Sequence, residues 1–412
     1  MILEKKISSN NIMLKVSPRG RKKSLQFLPE CLMDISKEKN FLYKDQKLKS
    51  AYVIDIIHNL LLKYYFKKEN SFSLSSLILK DKYGYLYNYY MDFLKEKQII
   101  KLEKNYFKGS SSRIYSLNDS ILCGRIFRYN NEDKVLIKKY ITKHIQFELD
   151  RNSIIERDIK VKLINDLYSV QIDFERSIFY LDSLKNEDID VYNRNKYSVE
   201  SINDKHIFYH FDSYGRMHTN FTILKSFIRK NCLLIDGDET FEIDIKNSQP
   251  LFLSKLIEES KSRWVDENEL RLFSLLVQGG NYYQYLIDNL KLKCKTDAKE
   301  LTYKVLFGQN RINSKSDKLF SNIFPTIHNF IKLYKSENKD YKILAHDLQR
   351  AESNLIFNKI IKRISLENKD IKVITVHDSI IAPKKYKEIV SKIFFEEIFE
   401  HFNQNNYFQT ID

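Results

Sequence analysis

Two aspartates sit where an acid is costly unless something uses it. Phe241-Glu242-Ile243-Asp244-Ile245 reads as a short strand with Asp244 near its end. Asn247-Ser248-Gln249-Pro250 then turns into an apolar helix expected over residues 251–258. Further on, Ile371-Lys372-Val373-Ile374-Thr375-Val376 is a β-branched strand that runs into His377-Asp378-Ser379 and continues as Ile380-Ile381. Asp378 is therefore expected at the tip of an apolar hairpin. An Asp in a turn is commonplace, but one set inside an apolar hairpin calls for a partner or a metal ion. Paired carboxylates suit hard divalent cations. Two such cations roughly 3.5–4 Å apart are what an in-line phosphoryl displacement needs at its attacking and leaving oxygens.

A third segment supplies complementary chemistry. Read as a helix, residues 295–308 place Lys295, Lys299, Tyr303 and Phe307 four apart on one face, followed by Gly308. Two cations and then two aromatic rings on one stripe could neutralise a triphosphate at one end and stack a base at the other. An ordinary amphipathic helix with snorkelling lysines has the same spacing.

Taken in order, these segments resemble the three signature motifs of the family A DNA polymerases and the single-subunit phage-type RNA polymerases. Asp244 falls at the metal-binding Asp of the first motif. His377-Asp378-Ser379 is similar to the His-Asp of the last, and its Ser is the form typical of the RNA polymerases. The helix between them resembles the fingers helix: Lys299 matches the triphosphate lysine, Lys295 stands where the family has Arg, and Phe307-Gly308 stands where it has Tyr-Gly. Two more stretches fit the order. Asp212-Ser213-Tyr214-Gly215-Arg216-Met217-His218 is similar to the Gly-Arg segment upstream of the first motif, and residues 348–356 resemble the helix before the last motif, with Gln349 at a minor-groove position.

The resemblance implies a division of labour. Asp244 and Asp378 would hold two Mg²⁺ ions, with Mn²⁺ as a substitute. Lys299 and Lys295 would meet the triphosphate, Tyr303, Phe307 and Gly308 would face the nucleotide, and Arg216, Gln349 and His377 would contact template and primer. The likeness covers residues 212–379, less than half of the chain, and it has departures. Ser248-Gln249 is displaced by two positions from the DNA polymerase pattern. No clear glutamate stands where those enzymes block a 2′-hydroxyl, and Phe307 lacks the hydroxyl that RNA polymerases use. No proofreading exonuclease is recognisable.

The elements that must position these residues are visible in outline. Residues 47–120 read as three helices (51–66, 74–80 and 85–97) and then two strands (99–102 and 113–117) joined by the polar turn 108–112, which resembles a winged helix. Residues 1–46 look like a basic arm around Arg19, Arg21, Lys22 and Lys23. Residues 121–205 read as a charged, mostly helical connector or thumb-like region. Residues 206–412 would form the palm, with fingers inserted at about 255–345. The expected class is α+β: an antiparallel palm sheet with helices, plus helical fingers, preceded by the winged-helix-like domain.

Composition agrees with a polyanionic partner. Lys and Arg number 69 against 54 Asp and Glu, a formal charge of +15, although a Lys-rich surface can be solvation alone. The four cysteines (Cys31, Cys123, Cys232 and Cys294) show no paired spacing, which leaves neither a zinc site nor a disulfide framework to be read. No apolar run approaches about 18 residues, and a cytoplasmic location is expected.

The expectation is template-directed nucleotidyl transfer on DNA, with primase activity as an extension, in the replication of a plasmid, phage or mobile element. An RNA polymerase or primer synthase of the same fold is one alternative. A non-catalytic winged-helix DNA-binding initiator or regulator is another. The sequence leaves open dNTP against NTP, the primer and template requirement, the biological setting and the oligomeric state.

Overall fold

A computed structural model of the chain describes residues 24–402, apart from 68–69, 107–111, 140–148, 150–153, 186–187 and 311–313. The basic cluster at residues 19–23 and most of the turn 108–112 lie outside the described residues. Helices and antiparallel strands are mixed throughout, as an α+β fold requires.

In chain order, the first elements are β1 (Ser24–Pro29), the hairpin β2 (Asn40–Tyr43) and β3 (Gln46–Lys49), α1 (Ser50–Lys67), β4 (Ser71–Leu74), α2 (Ser76–Tyr83), α3 (Tyr87–Glu96), β5 (Ile100–Lys104), β6 (Arg113–Leu117) and β7 (Ile126–Asn131). Next come α4 (Arg157–Leu167), β8 (Val170–Ile172), α5 (Phe174–Leu184), α6 (Ile189–Asn203), β9 (Tyr209–Phe211), β10 (Met217–Thr219), α7 (Ser226–Cys232) and β11 (Leu233–Ile235). The rest comprises β12 (Asp238–Asp244), α8 (Ser248–Ser260), α9 (Glu267–Gln278), α10 (Tyr282–Leu290), α11 (Lys295–Phe307), α12 (Lys315–Ile323), α13 (Pro325–Glu337), α14 (Ile343–Ser353), α15 (Lys362–Glu367), β13 (Ile374–Val376), β14 (Ser379–Pro383) and α16 (Lys387–Phe402). The stretch Asn354–Ile361 between α14 and α15 is a π-helix.

The chain divides into two compact units. One comprises Met1–Arg151, Val170–Phe208 and Thr219–Asp236; the other comprises Asn152–Ser169, Tyr209–His218 and Gly237–Asp412.

The first unit packs α1 against a core that includes Phe27, Leu48, Ile57, Leu60, Phe72, Leu94 and Ile100. Its three-stranded sheet has the order β4-β6-β5. Three differences from the sequence reading appear here. Residues 24–46, expected within an arm, form β1 and most of a hairpin, and β1 pairs with β7, about a hundred residues away. Leu74, expected in a helix, ends β4, because Ser71–Leu74 has a ladder partner in β6. The 121–205 stretch, expected as mostly helical, also contains β7 and β8. In each case a remote strand supplies hydrogen bonds that local periodicity does not reveal.

Among the described residues, a charged cluster lies in the interior of this unit. The Asp55 carboxylate is fully buried and accepts from Gln26 Nε2 (2.6 Å) and the Tyr83 hydroxyl (2.6 Å), with Lys82 Nζ at 2.9 Å. It ties β1, α1 and α2 together, and satisfied partners are what make a buried carboxylate tolerable.

In the second unit β13, β14 and β12 pair antiparallel in that order, with β14 between the other two. Asp244 lies opposite Ser379 in the β12–β14 pair, and Val376 lies opposite the same Ser379 in the β13–β14 pair. Every residue of β14 is buried, which fits its run of Ile380, Ile381 and Ala382. The expected apolar hairpin is present, shortened at its start because β13 begins at Ile374. Helix α8 begins at Ser248, and its first six residues are all buried.

Helix α11 spans Lys295–Phe307, and its C-terminal end is held from another helix. Lys335 of α13 is 3% exposed, and its Nζ donates to the carbonyls of Val305 (2.6 Å) and Gly308 (2.9 Å). A cation on the last carbonyls of a helix complements its dipole. Burial lowers this ammonium from its usual 10.5 to about 8. The folded state therefore binds fewer protons than the unfolded chain between these values. The group's contribution to stability is complete above pH 10.5 and is lost as pH falls through 8. Lys335→Met should cost about 1–3 kcal/mol at pH 9 through the orphaned carbonyls. Denaturant unfolding should show that cost shrinking toward neutral pH; a pH-independent cost would contradict the assignment.

Candidate functional site

All ten residues singled out from the sequence lie in the second unit. Asp244 ends β12 and is exposed. Asp378 occupies the two-residue turn between β13 and β14 and is half-buried. Because Ser379 faces Asp244 across the ladder, Asp378 is one residue beyond Asp244's partner. Opposed Cα atoms in such ladders are about 4.5–5.5 Å apart, so the turn carries the second aspartate to the end of the strand that carries the first.

Both acids are flanked by unusual backbone. His377, just before Asp378, has a φ of +56°, and Asn247, three residues after Asp244, has a φ of +55°. Left-handed φ is uncommon outside glycine, with Asn and His among the tolerant types. The Asn247 amide anchors its turn by donating to the Val277 carbonyl (3.2 Å).

Beside these turns lies a buried carboxylate that the sequence reading did not single out. Glu352 of α14 is 1% exposed. Its Oε1 accepts from Arg216 Nε (3.0 Å) and Nη2 (2.5 Å), and its Oε2 accepts from the Ser248 hydroxyl (2.5 Å) and the Gln249 amide (2.6 Å). A signal for it was present. Leu344, Leu348 and Glu352 recur at intervals of four on the buried face of α14, and an acid on an apolar stripe demands partners. What local pattern could not supply was the identity of those partners.

Arg216 reaches Glu352 from the turn between β9 and β10. Asp212 shapes that turn: its Oδ1 accepts from the amides of Tyr214 and Arg216, both at 2.9 Å, and its Oδ2 lies 2.9 Å from His218 Nε2. Burial alone would raise the Asp212 carboxyl, but His218 and the two amides outweigh it and hold the group below its ordinary value. Gly215 has a φ of +87°, and a Cβ there would lie 3.0 Å from Ser353 Cβ, so the turn passes α14 where only glycine fits. On the same helix His346 stacks on Tyr214 (3.9 Å between ring centroids, 16°), and the Arg350 guanidinium lies 5.7 Å from that ring. Gln349 is half-buried on α14.

Helix α11 presents the predicted stripe. The rings of Tyr303 and Phe307 stack at 5.4 Å and 11°. Together with Lys299 and Gly308 they line an open groove of about 610 Å³. Lys295 opens the helix and is exposed. Lys299 Nζ lies 5.7 Å from the ring of Tyr283 on α10, a second residue that the sequence reading did not single out. Burial raises the Tyr303 hydroxyl, and the charges of Asp378 and Glu352 add to the effect. The groove therefore lies within electrostatic reach of the acids. His377 and His218 rings are 6.1 Å apart.

Asp378 is strongly shifted. Burial raises its carboxyl, the charges of Glu352 and Asp244 add to this, and Arg216 opposes it; the group reaches about 7. Two acids thus act on Asp378 with one guanidinium opposing them, and a divalent cation would relieve that repulsion. Asp244 and Asp378 present hard carboxylate oxygens, which fits Mg²⁺. Among the described residues, no group of three or more His, Cys, Asp or Glu side chains is arranged to hold a metal ion. Two protein carboxylates, with water and phosphate completing the shell, are a usual arrangement for Mg²⁺.

No protein-family model matches this sequence, and no curated protein matches it. No helix among the described residues is long and apolar enough to cross a membrane.

The Asp378 carboxyl makes a prediction with a definite sign. Its folded value lies above the ordinary 3.8, so its contribution to stability is complete below pH 4 and is lost as pH rises through about 7. In EDTA, Asp378→Asn should be more stable than wild type at pH 8, by roughly 1–2 kcal/mol after allowance for solvent screening. The advantage should vanish near pH 4 and shrink at pH 8 when Mg²⁺ is added. Thermal unfolding at the two pH values, with and without Mg²⁺, reads this directly. Equal melting temperatures at pH 8 in EDTA would contradict it.

Proposed function

We propose that the second unit is a template-directed nucleotidyltransferase, most simply a DNA polymerase, acting through two divalent cations at Asp244 and Asp378. The observation that carries this reading is the β12–β14 register, which brings the two aspartates to one end of one sheet. The stacked Tyr303–Phe307 pair within electrostatic reach of Asp378 supports it.

The chain's own residues have separable tasks in this reading. Asp244 and Asp378 supply the oxygen ligands. When bound, the cations polarise the attacking hydroxyl and neutralise the leaving phosphates. Lys299 meets the triphosphate as a point charge, with Lys295 further along the same face. Tyr303 and Phe307 offer stacked rings for the nascent base pair, and Gly308 leaves room beside them. Arg216 and Gln349 face the template–primer, and His377 sets the backbone that carries Asp378. Phosphoryl transfer asks for positioning and charge more than for covalent chemistry, and these residues provide both.

The first unit supports a nucleic-acid-binding accessory. The order of elements α1-β4-α2-α3-β5-β6, with β6 between β4 and β5, resembles that of a winged helix and supports this reading, and the whole chain's formal charge of +15 suits a polyanion. A replication protein of a plasmid, phage or mobile element, working in the cytoplasm, would use such a combination. The Ser after Asp378 and the missing glutamate that would block a 2′-hydroxyl keep RNA synthesis as the second product to be tested.

The test is primer extension and de novo synthesis with dNTPs or NTPs, with and without Mg²⁺. Asp244→Ala and Asp378→Ala should each lose roughly 100-fold or more in rate, with duplex binding retained. Lys299→Ala should raise KM for the nucleotide. Unchanged synthesis in both aspartate variants would sink the two-metal reading. Duplex binding by a wild-type protein with no synthesis under any condition would instead favour a non-catalytic initiator.

A further inference from the structure

Glu352 has no task in the mechanism above, yet it is the most deeply buried acid at the site. It is not a spare metal ligand. A carboxylate offers about four lone-pair sites, and two donors from Arg216 with one each from Ser248 and Gln249 fill them. The arrangement has a cost elsewhere, because Gln249 turns its amide toward Glu352 and leaves its own buried Oε1 without a hydrogen bond. The four contacts join three segments: the β9–β10 turn, the start of α8 just after Asp244, and α14.

The guanidinium explains why such a clamp is needed. Arg216 is 19% exposed at its side chain and lies close enough to Asp378 to act on its charge. Glu352 holds it by its Nε/Nη2 edge, which leaves Nη1 outside that pairing. Without Glu352, a largely buried guanidinium would seek another carboxylate, and its charge already acts on Asp378, which the ladder sets beside Asp244. An arginine paired with them would occupy the oxygens that divalent cations need.

We propose that Glu352 is a positioning residue that holds Arg216 off Asp244 and Asp378, keeping both aspartates free for divalent cations. This rests on the two-metal reading. It assigns Glu352 to the surroundings of the metal site, where the partners of ligands and competing cations are set.

The experiment is Mn²⁺ binding by the full chain, followed by water-proton relaxation. The proteins are wild type, Glu352→Gln, Arg216→Gln/Glu352→Gln and Asp244→Asn/Asp378→Asn. Glu352→Gln should weaken Mn²⁺ binding roughly 10–100-fold. The loss should persist at about 0.5 M KCl, where fields acting through solvent are screened. Removing the arginine as well should restore affinity to within roughly threefold of wild type, because no guanidinium remains to compete. A merely structural role predicts the opposite order, with the double variant worse than the single one. Should Glu352→Gln fail to fold, the double variant, which buries no unpaired charge, still decides: near-wild-type affinity supports the inference and a loss greater than roughly tenfold overturns it. If wild type holds no Mn²⁺, or holds it equally after both aspartates are changed, the metal reading and this inference fall together. If wild type binds through the aspartates and Glu352→Gln binds as tightly, this inference alone falls.

Discussion

A single buried carboxylate organises the second unit's site. Glu352 gathers Arg216, Ser248 and Gln249, and through them it connects three stretches of chain that are far apart in sequence. Breaking a buried pair of this kind strands a charge, so the geometry is strongly held. Asp244 gains a fixed position because α8 is pinned four residues after it. Arg216 gains a fixed direction because one edge of its guanidinium is already taken. The same cluster explains why Asp378 is so reluctant to ionise: it shares a poorly solvated neighbourhood with two other acids and one cation. An unfavourable electrostatic arrangement kept in a folded protein is a pointer to a site.

The site's logic runs from backbone to chemistry. A two-residue turn with a left-handed His377 places Asp378, a ladder register places Asp244 beside it, and a glycine that admits no side chain brings the Arg216 turn against α14. Helix α11 adds a cationic and aromatic face whose far end is fastened by Lys335. Each of these is a local solution to a local constraint. Together they set carboxylate oxygens, a guanidinium and an aromatic groove in one unit, which is the set of groups that handling a nucleoside triphosphate on a template would require.

Much of this was legible in the sequence where period and composition carry the information. The β-branched run before His377-Asp378 announced the hairpin, and the spacing of four from Lys295 to Phe307 announced a helix with one functional stripe. Strands β1, β4 and β7 escaped because their ladder partners are remote; β1 and β7 lack strict alternation, and β4 alternates over only four residues. Glu352 escaped as a functional residue for a related reason. Its place on the apolar stripe of α14 could be read, but its partner Arg216 is 136 residues away, and Ser248 and Gln249 resemble an ordinary helix start. Tyr283 was invisible because its relevance comes only from the packing of α10 on α11.

The most direct measurement is a crystal structure of the protein soaked with Mn²⁺ and a non-hydrolysable nucleoside triphosphate. Anomalous density should bridge the carboxylates of Asp244 and Asp378, with the triphosphate running toward Lys299 and the base against Tyr303. Mn²⁺ bound elsewhere with both aspartates bare, or an Arg216 guanidinium paired directly with Asp378 in place of the metal, would contradict it.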